Sequence, residues 1–376
     1  MMENDFNYFS NISVLYIETT NKCNLNCGYC YAAHTQERKQ EFTFEMFKSV
    51  VDKIALYSNC EEISIIFHGG EPLLLPTSFY SECCEYAILK MNEFNKTVDF
   101  GLQSNLTLFS CELLPILEKY CVTVSTSIDG LQEIHDKARS KWSAVESNFR
   151  FLLDHGIKAN FISVCSTHNK NDVEDIFKYA HSLNIKHIHI NIASSPIALV
   201  PESKYLPLSD SEIYGVYEDI ISNSLKYGIV EKNMETMVRR FLSEDYSNKY
   251  LTGHFCESPF CYAGSAMIVV TPNGQMFPCS PAVPLCKIGN DFALGNILEN
   301  VSPEKYTDKL QSFHEKDAKY NEMCPSCEAN IICDFGCPAF DRIDPITAKN
   351  KCLAVKRLFD KFKSMDANCL NRLLKI

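Results

Sequence analysis

The sequence predicts an α/β chain of six strand–helix units, forming an incomplete barrel or a doubly wound sheet, followed by a cysteine-rich C-terminal unit. Up to about residue 195, short β-branched runs alternate with longer amphipathic stretches, the pattern of strand–helix–strand units in a parallel sheet. The spacers between strand candidates leave room for a crossover helix each. Among 376 residues there are 19 cysteines, and eight fall between Cys256 and Cys337, interleaved with turn-forming Pro, Gly and Asn.

The strand candidates, in order, are Val14–Thr19, Ile63–His68, Val98–Gln103, Val122–Ser127, Lys158–Val164 and His187–Ile192. The stretches between them read as helices: Thr43–Tyr57, Ser78–Asn95, Ser110–Tyr120, Ala144–His155 and Asp172–Leu183. In both candidate folds the chemistry belongs at the C-terminal ends of the strands. Pro201–Pro207 reads as a connection, and helices are expected over Ser209–Leu225 and Met234–Leu242. The composition changes from His254 onward, so residues 1–235 and 236–376 are expected to be separate units, the second held together by metal more than by apolar burial. Lys349–Lys363 is basic and amphipathic, as in a solvated terminal helix that packs one apolar face.

Net charge is −11, from 47 acidic against 36 basic residues, which disfavours a nucleic-acid partner. Met1–Ser10 has no basic start and no apolar run, and no later window approaches the roughly 18 apolar residues of a membrane span, so a cytoplasmic protein is expected. A cytosolic chain cannot keep so many thiols as disulfides; metal is the natural explanation.

Directly after the first strand comes Cys23-Asn-Leu-Asn-Cys27-Gly-Tyr29-Cys30. Three thiolates can hold three irons of a 4Fe-4S cube and leave the fourth open to a substrate or cofactor. The alternative is a zinc site completed by a residue such as His34. Cys-x3-Cys-x2-Cys with an aromatic residue before the third Cys resembles the signature of the radical S-adenosylmethionine (SAM) superfamily. That resemblance implies a partial (β/α)6 TIM-like barrel in which SAM chelates the fourth iron and is cleaved to a 5'-deoxyadenosyl radical that abstracts a substrate hydrogen. Gly69-Gly70-Glu71-Pro72 after the second strand looks like the family's SAM-binding loop, with Glu71 accepting from the cofactor's ammonium. An ordinary tight turn would suit the same residues. Gln103 and Asn105 after the third strand, and Ser127, Asp129 and Arg139 after the fourth, are similar to the positions that bind the ribose and carboxylate, with Arg139 as the carboxylate clamp. Local turn or cap bonding is the alternative for Asn105, Asp129 and Asp136.

The later cysteines, Cys256, Cys261, Cys279, Cys324, Cys327, Cys333, Cys337 and Cys352, with Gly274 five residues before Cys279, resemble the SPASM extension of radical SAM enzymes. The resemblance implies two auxiliary 4Fe-4S clusters, one on Cys256, Cys261, Cys279 and Cys337, the other on Cys324, Cys327, Cys333 and Cys352, three clusters in all. Two zinc sites would also use eight thiols. The remaining cysteines are expected to be mostly apolar fillers, with Cys286, just after a cluster ligand, the one to check.

Auxiliary clusters imply an exit for a second electron and a net two-electron oxidation, with a flavodoxin- or ferredoxin-type protein as reductant. SPASM enzymes act mainly on peptide and protein side chains, and the cysteine layout is similar to that of anaerobic sulfatase-maturating enzymes. In those, an Asp following the third ligand of the first auxiliary cluster is the base; here that position is Ser280. A serine hydroxyl cannot take up a proton near neutral pH unaided, so either Asp291 or Asp334 substitutes or the reaction differs. The expectation is therefore a peptide maturase that forms a C–C or thioether crosslink. Formylglycine formation, small-molecule SPASM oxidation and a non-enzymatic iron–sulfur electron carrier are the alternatives. The 22 residues before Cys23 are too few for a winged-helix leader-binding domain, so peptide recognition is expected at a sheet edge, at the barrel mouth or through a separate protein.

Overall fold

The computed structural model describes residues 7–32, 40–195, 199, 206–243, 261–315, 323–333 and 336–374. Six strands lie side by side in sequence order, all parallel: β1 (Val14–Thr20), β2 (Glu62–Gly69), β3 (Thr97–Gln103), β4 (Thr123–Ser127), β5 (Ala159–Cys165) and β6 (His187–Ile192). A doubly wound sheet reverses strand order at a switch point. Here the order never reverses, so right-handed crossovers put every helix on one side and the sheet curls with that side outward. The partial barrel is thereby distinguished from the doubly wound alternative.

The crossover helices are α1 (Phe44–Tyr57), α2 (Thr77–Glu93), α3 (Leu114–Lys119), α4 (Gln132–Ala138), α5 (Trp142–Asp154) and α6 (Val173–Ser182). Helix α1 starts where Thr43 Oγ1 accepts from the Met46 N–H, 3.2 Å, with Glu45 in the first turn. Its Phe47, Val50, Val51 and Ile54 bury against Leu15, Ile17, Ile63, Ile65 and Phe67 of the sheet. Since strand side chains alternate, Val14, Tyr16 and Glu18 of β1 and Ile66 and His68 of β2 occupy the opposite, concave face. Helix α4 is absent from the sequence-derived elements because seven residues span too few turns to show a 3.6-residue period.

Beyond β6 come α7 (Asp210–Tyr227), closed by a capping box on Ser209 and Glu212 and by Gly228 in the left-handed region, β7 (Val230–Glu231) and α8 (Lys232–Leu242). The C-terminal segment then adds β8 (Met267–Val270) to the barrel sheet, parallel to β1, with β9 (Gln275–Phe277) and β10 (Gly295–Asn296) antiparallel outside it. Its residues Met267, Val269, Phe277, Ala282, Leu285, Phe292, Phe313, Ala339 and Ile343 form an apolar cluster. Apolar burial therefore contributes to this unit alongside its cysteines. The helix Pro345–Ser364 buries Ala354, Val355, Leu358 and Phe362, while Arg357, Lys361 and Lys363 pair with Asp210, Glu218 and Glu328 at the surface, as expected of a solvated terminal helix. Cys83, Cys84 and Cys165 are buried fillers, whereas Cys111, Cys121 and Cys286 are exposed. Among the described residues no helix is long and apolar enough to cross a membrane.

Candidate active site

The Cys23–Cys30 loop leaves the C-terminal end of β1 and is held by the ends of the next three strands. Gly70 N–H donates to the Thr20 carbonyl at 2.7 Å and Glu71 N–H to that of Lys22 at 2.8 Å. A Cβ on Gly70 would lie 1.9 Å from the Lys22 oxygen, and Gly69, at φ +128°, would place one 2.6 Å from the Thr20 oxygen. Both glycines are required by the chain's approach to its own cysteine loop.

The Glu71 carboxylate is 1 % exposed and accepts from Ser104 Oγ at 2.6 Å, Asn105 N–H at 2.8 Å and Leu73 N–H at 2.9 Å. Burial pushes its pKa up and these donors pull it back. The side chain expected to meet the cofactor's ammonium is thus engaged in tying β2 to β3. Asn105 Nδ2 in turn donates to Asn24 Oδ1 at 2.9 Å and reaches Cys23 Sγ at 4.0 Å, while the Leu25 N–H points at the same sulfur at 3.4 Å.

On the other flank Asp129 gathers the loop. One oxygen accepts from Tyr29 OH and from Arg139 Nε, the latter at 2.7 Å; the other accepts from the Val164 N–H at 2.8 Å. Arg139, at the C-cap of α4, lies over the Tyr29 ring at 5.0 Å and donates from Nη1 to Cys27 Sγ at 3.9 Å. Asp129 is therefore not the local turn residue that was the alternative. Asp136 is, because it accepts from the Trp142 N–H at the start of α5. Burial pushes the Cys27 thiol up to about 11, against the pull of Arg139, and Cys23 and Cys30 both act on it, so the three thiols lie within electrostatic reach of one another.

The donor set fits an iron–sulfur cube with a polar ligand. Backbone and side-chain N–H groups aim at the sulfurs, the usual means of tuning such a cluster. Arg139 Nη2 and the side chains of Gln103 and Ser127, at neighbouring strand ends, have no hydrogen-bond partner among the described residues. Among those residues no three His, Cys, Asp or Glu side chains are gathered tightly enough to hold one metal ion. His34 lies outside them.

The C-terminal cysteines approach the same concave face. Cys261, Cys279 and Cys337 belong to one apolar cluster together with Tyr16 of β1 and Ile66 of β2, and Tyr31, next to Cys30, meets Phe340 edge-on at 5.7 Å. Cys324 and Cys327 share a turn, Cys327 N–H donating to the Cys324 carbonyl at 3.1 Å. The short helix Asn330–Cys333 packs against the helix Pro345–Ser364 that carries Cys352. Cys256 and Asp334 lie outside the described residues. Asp291, the other candidate base, is at the surface with its side chain 63 % exposed. Burial would raise its pKa, but the Ala293 N–H and Lys309, 3.1 Å away, hold it low. It lacks the enclosure that keeps a base poised near neutral pH.

Sequence reasoning missed Glu18 and His68. They are register partners on β1 and β2, facing the concave side at the strand ends. Neither side chain has a hydrogen-bond or ion-pair partner among the described residues; the His68 ring meets Tyr16 edge-on at 6.0 Å. Burial raises Glu18 to about 7 and lowers His68 to about 4. The signal was present, since the period-2 alternation of β1 puts a carboxylate on the same face as Val14 and Tyr16.

Comparison with known proteins supplies an independent reading. A family model described as Radical SAM superfamily matches residues 17–180, and a SPASM model, described as an iron–sulfur cluster-binding domain, matches residues 261–328. The cysteine-type anaerobic sulfatase-maturating enzyme of Clostridium novyi is 22 % identical over 344 residues, covering 87 % of each chain. The serine-type enzyme of Bacteroides thetaiotaomicron is 23 % identical over 342 residues, 84 % of this chain and 80 % of that one. Among solved structures, native anSMEcpe with bound AdoMet and Cp18Cys peptide superposes with a TM-score of 0.73 at 20 % identity, covering 94 % of this chain and 98 % of that one. Streptococcus suis SuiB bound to precursor peptide SuiA gives 0.62 at 16 % identity, covering 87 % and 72 %.

Proposed function

Because the chain belongs to the radical SAM superfamily and carries a SPASM domain, we propose that this enzyme oxidises a side chain of a peptide or protein, forming a C–C or thioether crosslink in a ribosomally made precursor. The observation that carries this reading is the concave face itself, where Tyr16 and Ile66 pack with the layer holding Cys279 and Cys337, and where Tyr31, next to Cys30, meets Phe340 of that layer. In it Cys23, Cys27 and Cys30 hold a 4Fe-4S cluster that binds SAM, while Cys256, Cys261, Cys279 and Cys337, and Cys324, Cys327, Cys333 and Cys352, hold two auxiliary 4Fe-4S clusters. When bound, SAM supplies the oxidant for substrate hydrogen abstraction and the auxiliary clusters take up an electron. Asp129 and Arg139 hold Cys27 and Tyr29 in place, and Gln103, Ser127 and Arg139 Nη2 present polar groups to the cofactor.

A peptide substrate agrees with the relatives whose solved complexes contain peptides. The far side of β6 does not invite strand addition, because β7 pairs with it at His187 and Ile188, Glu231 Oε1 accepts from the Ile190 N–H at 2.9 Å and Asn233 Nδ2 donates to the Ile190 carbonyl at 2.9 Å. The barrel mouth is thereby favoured over that edge. Formylglycine formation remains the second reading, favoured by the sulfatase-maturating relatives and opposed by Ser280.

Anaerobically reconstituted protein is expected to hold about a dozen irons and, with dithionite or a reduced flavodoxin and SAM, to release 5'-deoxyadenosine. Peptides encoded beside the gene should lose two hydrogens per event with no aldehyde captured by a hydrazide reagent. An aldehyde would indicate formylglycine, unchanged peptides a small-molecule substrate, and absence of SAM cleavage with all clusters intact an electron carrier.

A further inference from the structure

We propose that Glu18 is the proton acceptor for the substrate oxidised at the concave face of the barrel, with His68 beside it as a neutral hydrogen-bonding group for that substrate. The inference rests on the proposed oxidation and answers the question that Ser280 leaves open. Joining a substrate carbon to X, where X is O, S, N or another carbon, breaks a C–H and an X–H bond and forms a C–X bond. One hydrogen atom goes to the oxidant that the bound cofactor supplies, one electron to an iron–sulfur group held by the C-terminal cysteines, and one proton must find a base.

Position singles out Glu18 for that role. It lies two residues beyond Tyr16, whose ring packs in the layer of Cys279 and Cys337, and five residues before Cys23, so it stands between the two cysteine sets. Gly69 gives it room, since a Cβ there would come within 3.1 Å of the Glu18 Cγ. The buried carboxylates near the cysteine loop are committed, Glu71 to three donors and Asp129 to Arg139, Tyr29 and Val164, whereas Glu18 is part-buried. The Glu18 carboxylate has no partner among the described residues. On the β1–β2 part of its face the titratable groups are Tyr16 and His68, while β8 ends at Val270, opposite Ile17, and its Val269 and Val270 carry none. Burial alone, with no charged neighbour, brings Glu18 to about 7, so near neutral pH a sizeable fraction is ionised and able to accept a proton. His68, lowered to about 4 by burial, is then uncharged.

The test uses the full-length holoenzyme with SAM bound, as wild type, Glu18→Gln and Glu18→Asp. Infrared difference spectra of wild type against Glu18→Gln from pH 5 to pH 8 should show a carboxyl band that converts to carboxylate near neutral pH. A Glu18 already ionised at pH 5 overturns the proposal whether or not a peptide substrate has been found. With any flanking-gene peptide that wild type oxidises, the ratio of oxidised peptide to released 5'-deoxyadenosine should fall at least tenfold in Glu18→Gln and recover in part in Glu18→Asp. An undiminished ratio in Glu18→Gln overturns it. If wild type oxidises no such peptide, the peptide reading fails and the infrared titration decides for Glu18.

Discussion

Arg139 buries a guanidinium whose side chain is 11 % exposed, against an Asp129 side chain 2 % exposed. Such a charge is tolerated only while its partner stays. Asp129→Ala leaves Arg139 uncompensated and releases Tyr29, and is expected to cost about 3 to 5 kcal/mol in denaturant unfolding. The same variant should retain less iron after reconstitution, because Arg139 Nη1 would no longer be aimed at Cys27. Arg139 was legible in the sequence as a cation near the fourth strand end. That Asp129 also takes the Tyr29 hydroxyl was not, because the two are 100 residues apart and only the curl of the sheet brings them together.

At the scale of elements, the six barrel strands were legible to within a residue or two, since one face of each is packed against helices and β-branched alternation follows. The short strands β8 to β10 were not. Every residue of β8 is buried, so it shows no alternation, and its partner β1 lies some 250 residues earlier in the chain. The loop after β2 reads as a glycine turn serving a ligand, and the structure adds a close approach of Gly70 to Lys22. Gly70→Ala should therefore displace the cysteine loop while leaving the barrel folded. Far-ultraviolet circular dichroism should match wild type, iron content should drop by roughly the share of one cluster in three, and 5'-deoxyadenosine release should be lost.

The whole molecule is joined at two ends of the curled sheet. On one side β8 hydrogen-bonds along β1; on the other, the Ser195 N–H after β6 donates to Asp344 Oδ2 at 2.6 Å, and Asp344 also caps the helix Pro345–Ser364. The C-terminal segment, part of which matches the SPASM model, therefore spans the open side of the partial barrel. A chain cut after residue 243 would expose the backbone edge of β1 together with Val14, Tyr16 and Ile66. It is expected to elute as aggregate in size-exclusion chromatography, where a freely separable domain would elute as monomer.

The sequence by itself determined the family, the strand–helix alternation and the cysteines that can bind metal, because these are written as residue types at fixed short spacings. Only the tertiary structure decided that Glu71 braces the site from within, that Asp129 anchors Tyr29 and Arg139, that Asp291 sits at the surface, and that Glu18 and His68 stand side by side on the concave face. Burial and pairing depend on what distant segments bring alongside a side chain, and those two quantities set how readily it holds or releases a proton.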